Sequence, residues 1–282
     1  MSLSSDQIAS FKSHGYVVAP GFFSPTEARA MQLEIERFKR TGLVRNVATE
    51  GDGKTTSQSK RNLQLCPMFD KSDLFKALPF DARVAAAVSS LIGLPARLHL
   101  DQVFLKPAGD GAGTSWHQDN AYFHLANPMQ GTAMWIAVHD ATIANGTMEV
   151  IPDVFLDKLE HKRDAGSDHH VRCYPDEAKA VPLELKAGGA VFFCYGTPHC
   201  TRGNTTDRDR AGAAFHFLRT DANDGAYMKQ WGSAKPGNPH ITGPLASDGV
   251  QEYGKRMSGA FNREVAAIIE AAPAMSPATA IV

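Results

Sequence analysis

A mainly β architecture with flanking helices, of sandwich or jelly-roll type, is what this sequence predicts, and three observations carry it. From about residue 97 the chain becomes a series of short β-branched or aromatic runs, each bounded by Gly, Pro or Asp. No helical pattern alternates with those runs, which argues against a parallel α/β sheet. Helical patterns gather instead in the first third and in the tail. At 282 residues the chain fits one domain. It divides into a mainly helical flank over 1–95, a β core over 96–221 and a C-terminal extension over 222–282.

The elements follow in order. "SSDQIASFKSHG" places Ser and Asp at a helix start, Ile8 and Phe11 on one side, and Gly15 as the stop. "YVVAPGFF" reads as a short strand. "SPTEARAMQLEIERFKR" opens a second helix with Ser24 as N-cap, Pro25 at the first helical position and Glu27 three residues after the cap. "DARVAAAVSSLIG" is a third, ending at Gly93. "RLHLDQVFLK", "GTAMWIAVH", "GTMEVIP", "GAVFFCYG" and "GAAFHFLRT" are the core strands. The segment 153–182 is too long and polar for a hairpin and reads as a lid or a loop without regular structure. In the tail, "EYGKRMSGAFNREVAAIIEAA" reads as one helix and "APAMSPATAIV" as frayed.

Composition excludes several classes. A formal net charge of −1 gives no electrostatic reason to bind nucleic acid. No apolar run approaches the ~20 residues of a membrane span. "MSLSSDQIASFKSHG" lacks the apolar centre of a signal peptide, so a soluble, cytoplasmic protein is expected. The four cysteines show no C-x-x-C pairing and read as free thiols, not as metal ligands.

Chemistry concentrates in "SWHQDNAYFH". His-x-Asp places two metal-ligand types on one side of a strand. Alone it is weak, and His99-Leu100-Asp101 repeats it inside an alternating strand, where a polar face is the simpler reading. His117 and Asp119 instead follow the Gly-rich "PAGDGAGTSW" and open an aromatic segment. A non-haem ferrous site needs two His and one carboxylate on one face of the metal. His199, after a buried strand and a turn containing Gly196 and Pro198, supplies the third ligand. Arg210 lies eleven residues beyond it, and a guanidinium suits a dicarboxylate cosubstrate. Thr201 adds a hydroxyl on the face of His199.

Taken together, "WHQDNAYF", "AMWIAVHDATIANGTMEVIPD" and "GTPHCTRGN…DRAGAAFHF" resemble the phytanoyl-CoA dioxygenase family of Fe(II)/2-oxoglutarate oxygenases. The resemblance covers about residues 5–220. It implies a double-stranded β-helix core, cupin-like in type, with His117, Asp119 and His199 as catalytic iron ligands. It implies that Arg210, assisted by Thr201, binds the distal carboxylate of 2-oxoglutarate, with Trp135 and Gln102 near the cosubstrate and Gln64 or Asn62 as a further polar contact. The reaction implied is hydroxylation by O2, coupled to loss of 2-oxoglutarate as succinate and CO2. The family pattern continues its Asn-Gly hairpin into a Pro-Gly-Ser-His turn, whereas this chain reads "IPDVFLDK". Asp119 stands where some relatives carry a small residue that admits chloride, so hydroxylation is favoured over halogenation.

Each residue has a plainer reading. Trp135 fits a core aromatic, and Arg210 fits a strand-start charge like its neighbours Arg202 and Arg208. His161, His169 and His170 read as a solvated loop, His139 as a turn, and His216 as facing opposite to Phe215 and Phe217, into the barrel. The mouth is expected to carry Asn120, Tyr122, His124, Lys60 and Arg61 toward substrate, with Arg45, Lys162, Arg163 and Arg172 around them. So many cations and hydrogen-bonding groups point to a small polar or anionic metabolite such as a phosphonate or carboxylate. The alternatives are a CoA thioester or hydrophobic natural product, a three-His cupin enzyme, or a non-catalytic ligand- or metal-binding β-helix.

Overall fold

The structure, a computed structural model, describes residues 2–222, 240–242 and 260–272. Helix α1 (Ser5–His14) opens on a capping box between Ser4 and Gln7 and is closed by Gly15 at φ 80°. After β1 (Tyr16–Ala19), α2 (Pro25–Arg40) starts the same way, with Ser24 and Glu27 boxed and Pro25 in its first turn. Then come β2 (Arg45–Asn46), β3 (Leu63–Leu65), α3 (Asp73–Ala77) and α4 (Ala82–Ile92), the last capped by Asp81. The β core runs through β4 (Ala96–Lys106), β5 (Thr114–His117), a one-turn helix α5 (Asn120–Phe123), β6 (Gly131–Ala137) and β7 (Met148–Val150). It continues with β8 (Lys162–Arg163), β9 (Val171–Arg172), β10 (Val181–Leu183), β11 (Ala190–Cys194), β12 (His199–Thr201) and β13 (Arg210–Arg219). Helix α6 (Ala260–Ala271) lies in the tail.

Two antiparallel sheets form a jelly roll. The larger has seven strands in the order β1-β11-β6-β13-β4-β3-β2, and the smaller has four, β10-β7-β12-β5. Period-two alternation divides each central strand of the large sheet between two cores. From β6, Met134 and Ile136 join the core under the helices, while Ala133, Trp135 and Ala137 fill the space between the sheets. From β13, Ala211, Ala213, Phe215 and Phe217 go to the helical side. Arg210, Gly212, Ala214 and His216 are thereby left facing the smaller sheet. Phe215 and Phe217 are fully buried, each contributing ~1.5–3 kcal/mol of apolar burial. That anchorage fixes what the alternate residues can reach.

Some expectations are corrected. The helical flank also supplies three strands of the large sheet, β1, β2 and β3. The segment 153–182 is not without regular structure: it carries the β8–β9 ribbon and leads into β10. The tail helix spans Ala260–Ala271, and the rest of its expected length, 252–259, lies outside the described residues, as does 273–282. Among the described residues no helix is long and apolar enough to cross a membrane.

Candidate metal centre

Strands β5 and β12 pair antiparallel with His117 and His199 as direct register partners, their ring centroids 4.2 Å apart. The strand stops at His117. Asp119 has helical backbone (φ −57°, ψ −31°) and begins α5, so a turn, not strand alternation, folds its carboxylate back. Its Oδ1 lies 3.7 Å from His117 Nε2 and 3.8 Å from His199 Nε2. One ligand atom from each of the three residues lies within 4.8 Å of the others, and all three residues are buried.

The tautomers are set by the backbone. His117 Nδ1 is 2.8 Å from Ser115 O and His199 Nδ1 is 3.0 Å from Thr197 O. A carbonyl only accepts, so each Nδ1 carries the proton and each Nε2 lone pair is left facing Asp119. Burial lowers the basicity of both imidazoles, that of His199 to about 4, so they stay neutral near pH 7. Burial alone would raise Asp119, but His216, His199 and His117 together hold it well below the usual carboxylate range. His216 Nε2 stands 3.2 Å from the other carboxylate oxygen. Two neutral imidazoles and one carboxylate, all second-row donors without thiolate, are the donor set that divalent iron takes in a facial triad.

The cavity holding the triad extends to Trp135, Thr201, Lys106 and Arg210. Arg210 and Lys106 are each 1% exposed. The Arg210 guanidinium lies 5.7 Å from the Trp135 ring and donates to the carbonyls of Asn145 and Gly146. Those carbonyls belong to the Asn-Gly turn, where Gly146 at φ 76° approaches Arg202 so closely that a Cβ would sit 2.1 Å from its carbonyl oxygen. Lys106 Nζ donates to Thr201 Oγ1 at 2.8 Å and to the Arg202 carbonyl. Among the described residues no carboxylate pairs with either cation. Burial pulls Arg210 down to about 9, and burial together with the Arg210 charge pulls Lys106 well below its ordinary value. Two buried cations with only neutral partners are costly by themselves and favour a dianion between them. Gln102 lines the same cavity, its Oε1 accepting from Gln64 Nε2 at 2.9 Å.

The residues expected at the mouth scatter. Because α5 makes a helical turn, Asn120, Tyr122 and His124 do not share a face. Asn120 spends its amide on the Leu125 backbone (3.0 and 2.8 Å), and His124 is exposed at φ 53°. Both border a surface hollow on the far side of Gln118, not the triad cavity. Tyr122 does stay close, its ring 6.0 Å from that of His117, with its hydroxyl accepting from Val171 N at 2.9 Å. Lys60 lines a separate surface hollow of about 640 Å³, and Arg61 is exposed and paired with Asp110 at 2.7 Å. Arg45 pairs with Asp168, and Arg163 donates to the His170 carbonyl at 2.6 Å. None of these cations lines the triad cavity. The second His-x-Asp is no metal site: Asp101 accepts from the backbone of Met68 and Phe69, and His99 packs edge-on to Phe123 at 4.7 Å.

Four residues go beyond the sequence expectations. Lys106 had a signal, since Gln102, Phe104 and Lys106 alternate along β4 toward the cavity. His216 was expected to point inward, and it reaches Asp119. Gln118, between the two ligands, donates to Asp157 O (2.7 Å) and Gly196 O (2.6 Å) and accepts from Leu159 N (3.1 Å). Its own N–H is taken by His161 Nε2 at 3.0 Å, with His161 Nδ1 facing Leu159 O at 2.9 Å. His170, expected in a solvated loop, is buried with its ring 5.7 Å from His117. The segment 153–182 is therefore fastened to the metal-binding motif itself.

Comparison with known proteins agrees with this geometry. The ectoine dioxygenase of Bordetella parapertussis is 25% identical over 230 residues, covering 74% of this chain and 73% of the relative. The L-proline trans-4-hydroxylase of Streptomyces griseoviridis is 28% identical over 219 residues, covering 70% and 79%. In fold, the chain is similar to SnoK, a non-haem α-ketoglutarate-dependent carbocyclase from nogalamycin biosynthesis, with a TM-score of 0.67 at 20% identity, covering 86% of this chain and 95% of the other. The sequence profile of phytanoyl-CoA dioxygenase (PhyH) matches residues 11–212, and the chain belongs to that family.

Proposed function

We propose that this chain is a ferrous iron- and 2-oxoglutarate-dependent dioxygenase that hydroxylates an unactivated C–H bond of a small, polar or anionic metabolite. The observation that carries the reading is one buried cavity with a His-Asp-His donor set near two cations that no carboxylate among the described residues neutralises. His117, Asp119 and His199 would hold the iron. Arg210, with Lys106 and Thr201, would take the distal carboxylate of 2-oxoglutarate, Trp135 would support the guanidinium, and Gln102 would face the cosubstrate. Bound there, iron, 2-oxoglutarate and O2 supply the oxidising power for hydroxylation, with succinate and CO2 released. The protein's own contribution is to fix the tautomers of both histidines, keep the carboxylate ionised, and exclude water from the reacting centre. The small-metabolite reading is supported by the two relatives named for ectoine and L-proline, both compact carboxylates bearing a basic ring nitrogen.

The test is succinate release from protein purified without oxygen and then supplied with Fe(II), 2-oxoglutarate and O2. Succinate should form only when all three are present, and Asp119→Ala should abolish it. Arg210→Ala should raise the 2-oxoglutarate requirement by about 10-fold or more, the loss of a bidentate contact to a carboxylate. Iron-loaded wild type that forms no succinate, with or without a second substrate, would refute the reading.

A further inference from the structure

The ribbon β8–β9 and its tip place His170 over the metal centre. Lys162 and Arg163 pair with Arg172 and Val171, and β9 is tied to β5 by Cys173 N donating to Trp116 O at 2.8 Å. The tip cannot swing freely. The His170 carbonyl accepts from Asp164 N (2.9 Å) and Arg163 Nη1 (2.6 Å), and the next amide, Val171 N, donates to the Tyr122 hydroxyl. The ring is held as firmly: Nδ1 meets the Tyr122 hydroxyl at 3.2 Å, with His169 stacked at 4.1 Å and Phe104 at 5.7 Å.

The other ring nitrogen is different. His170 is 7% exposed and lines the triad cavity, yet its Nε2 is fully buried and has no hydrogen-bond partner among the described residues. A buried polar atom without a partner is destabilising, and here the backbone and the rest of the ring are pinned so that it cannot turn away. Such an atom is placed for something that enters the cavity. Charge indicates what kind of group. A divalent metal with Lys106 and Arg210 exceeds Asp119 and a dianionic cosubstrate by one positive charge, so an anionic group in the remaining space completes the balance.

We propose that His170 Nε2 is the recognition point for the prime substrate, and that it donates to a carboxylate of a small amino-acid-like molecule. This rests on the reading of the site as a ferrous 2-oxoglutarate centre. Holding one end of the substrate at His170, above His117, fixes which carbon faces the metal, so His170 sets regiochemistry as well as affinity. His170 is a recognition residue and not a fourth ligand, since it lies outside the cluster of atoms that could share one ion.

The experiment uses the full chain, anaerobic and loaded with Fe(II) and 2-oxoglutarate, with L-proline and ectoine as probes and pyrrolidine as the control without a carboxylate. Binding is read from the shift of the visible charge-transfer absorption of the iron–2-oxoglutarate complex. At least one carboxylate should bind wild type and pyrrolidine should not. His170→Phe should weaken that binding by about 10- to 100-fold, the loss of one hydrogen bond to a charged group, while Fe(II) and 2-oxoglutarate affinities stay at wild-type values. His170→Gln, which keeps an N–H donor of similar reach, should recover part of the loss and guards against a folding defect in the Phe variant. Equal carboxylate affinity in His170→Phe, loss of iron binding in that variant, or no response of the wild-type complex to either carboxylate would each overturn the proposal. Absence of the charge-transfer band in wild type would instead sink the dioxygenase reading beneath it, so the two failures are distinct.

Discussion

Lys106→Met should make the ligand-free protein more stable and the cosubstrate bind less tightly. In the free protein, Lys106 is 1% exposed, near Arg210, with Thr201 Oγ1 and the Arg202 carbonyl as its hydrogen-bond partners among the described residues. Burying an ammonium costs several kcal/mol, and two bonds to neutral acceptors return about 1 kcal/mol each. Methionine fills a similar volume without the charge. Replacing such an ion by an apolar residue yields a net gain of about 1–4 kcal/mol. At ~2–4 °C per kcal/mol for a chain of this size, Tm of the free protein should rise by several degrees. Because the folded-state pKa of Lys106 is depressed below its ordinary 10.5, the penalty is full at low pH and fades as pH rises toward 10.5. The Tm gain should therefore shrink at alkaline pH. With 2-oxoglutarate the sign reverses: one charge-assisted contact of ~1.5–3 kcal/mol is lost, about 10- to 150-fold in Kd. Scanning calorimetry of the free protein across pH and titration calorimetry with 2-oxoglutarate check both halves. A lower Tm for the free variant, or an unchanged Kd, would refute the idea that Lys106 is kept for a dianion.

Three further outcomes are expected. Gly212→Ala would bring a Cβ to 2.3 Å from Trp135 Nε1, so thermal unfolding should show a loss of about 1–3 kcal/mol and the 2-oxoglutarate KM should rise as the support under Arg210 shifts. Burial raises Asp101 from 3.8 to about 6, so the stability of its protonated form is fully present below 3.8 and lost as pH rises through about 6. Asp101→Asn should thus be the more stable form at pH 8, by up to ~3 kcal/mol, with the advantage gone near pH 4; urea unfolding at the two pH values measures it. His161→Phe removes the acceptor for the Gln118 N–H and should weaken metal binding about 10- to 100-fold in a Co(II) titration of metal-free protein, with no effect if the 153–182 segment merely drapes over the site.

The sequence made the triad legible because its members sit in local signals: His-x-Asp after a Gly-rich turn, and His199 and Arg210 each opening one of two successive strands. The jelly roll was legible for a similar reason, since short strands bounded by turns need no long-range information. What escaped was set by the third dimension. Lys106 reads as a strand-end charge until β13 and β12 close over it with Arg210 and Thr201. His170 reads as loop because nothing local says that β9 will dock on β5. Asn120 and His124 lie beyond the end of β5 at His117, and one helical turn carries them away from the cavity. Sequence shows the cations of the mouth but not their partners: Arg45, Arg61 and Arg163 are engaged by Asp168, Asp110 and a carbonyl.

The stitching of Gln118 to residues 157–161 bears on how such an enzyme changes its trade. A specificity loop joined only at its ends can be exchanged between relatives like a cassette. Here the residue between two metal ligands is bonded into that loop, so a transplanted segment lacking the carbonyls of Asp157 and Leu159 or the ring of His161 would disturb the ligands as well. Divergence toward new substrates is consequently easier by point substitution at the ribbon tip, 164–170, than by wholesale replacement. The proximal half of the segment is bonded to the metal-binding motif and the tip to residues 47–53 and Tyr122, so a side-chain exchange at His170 leaves both sets of backbone bonds in place.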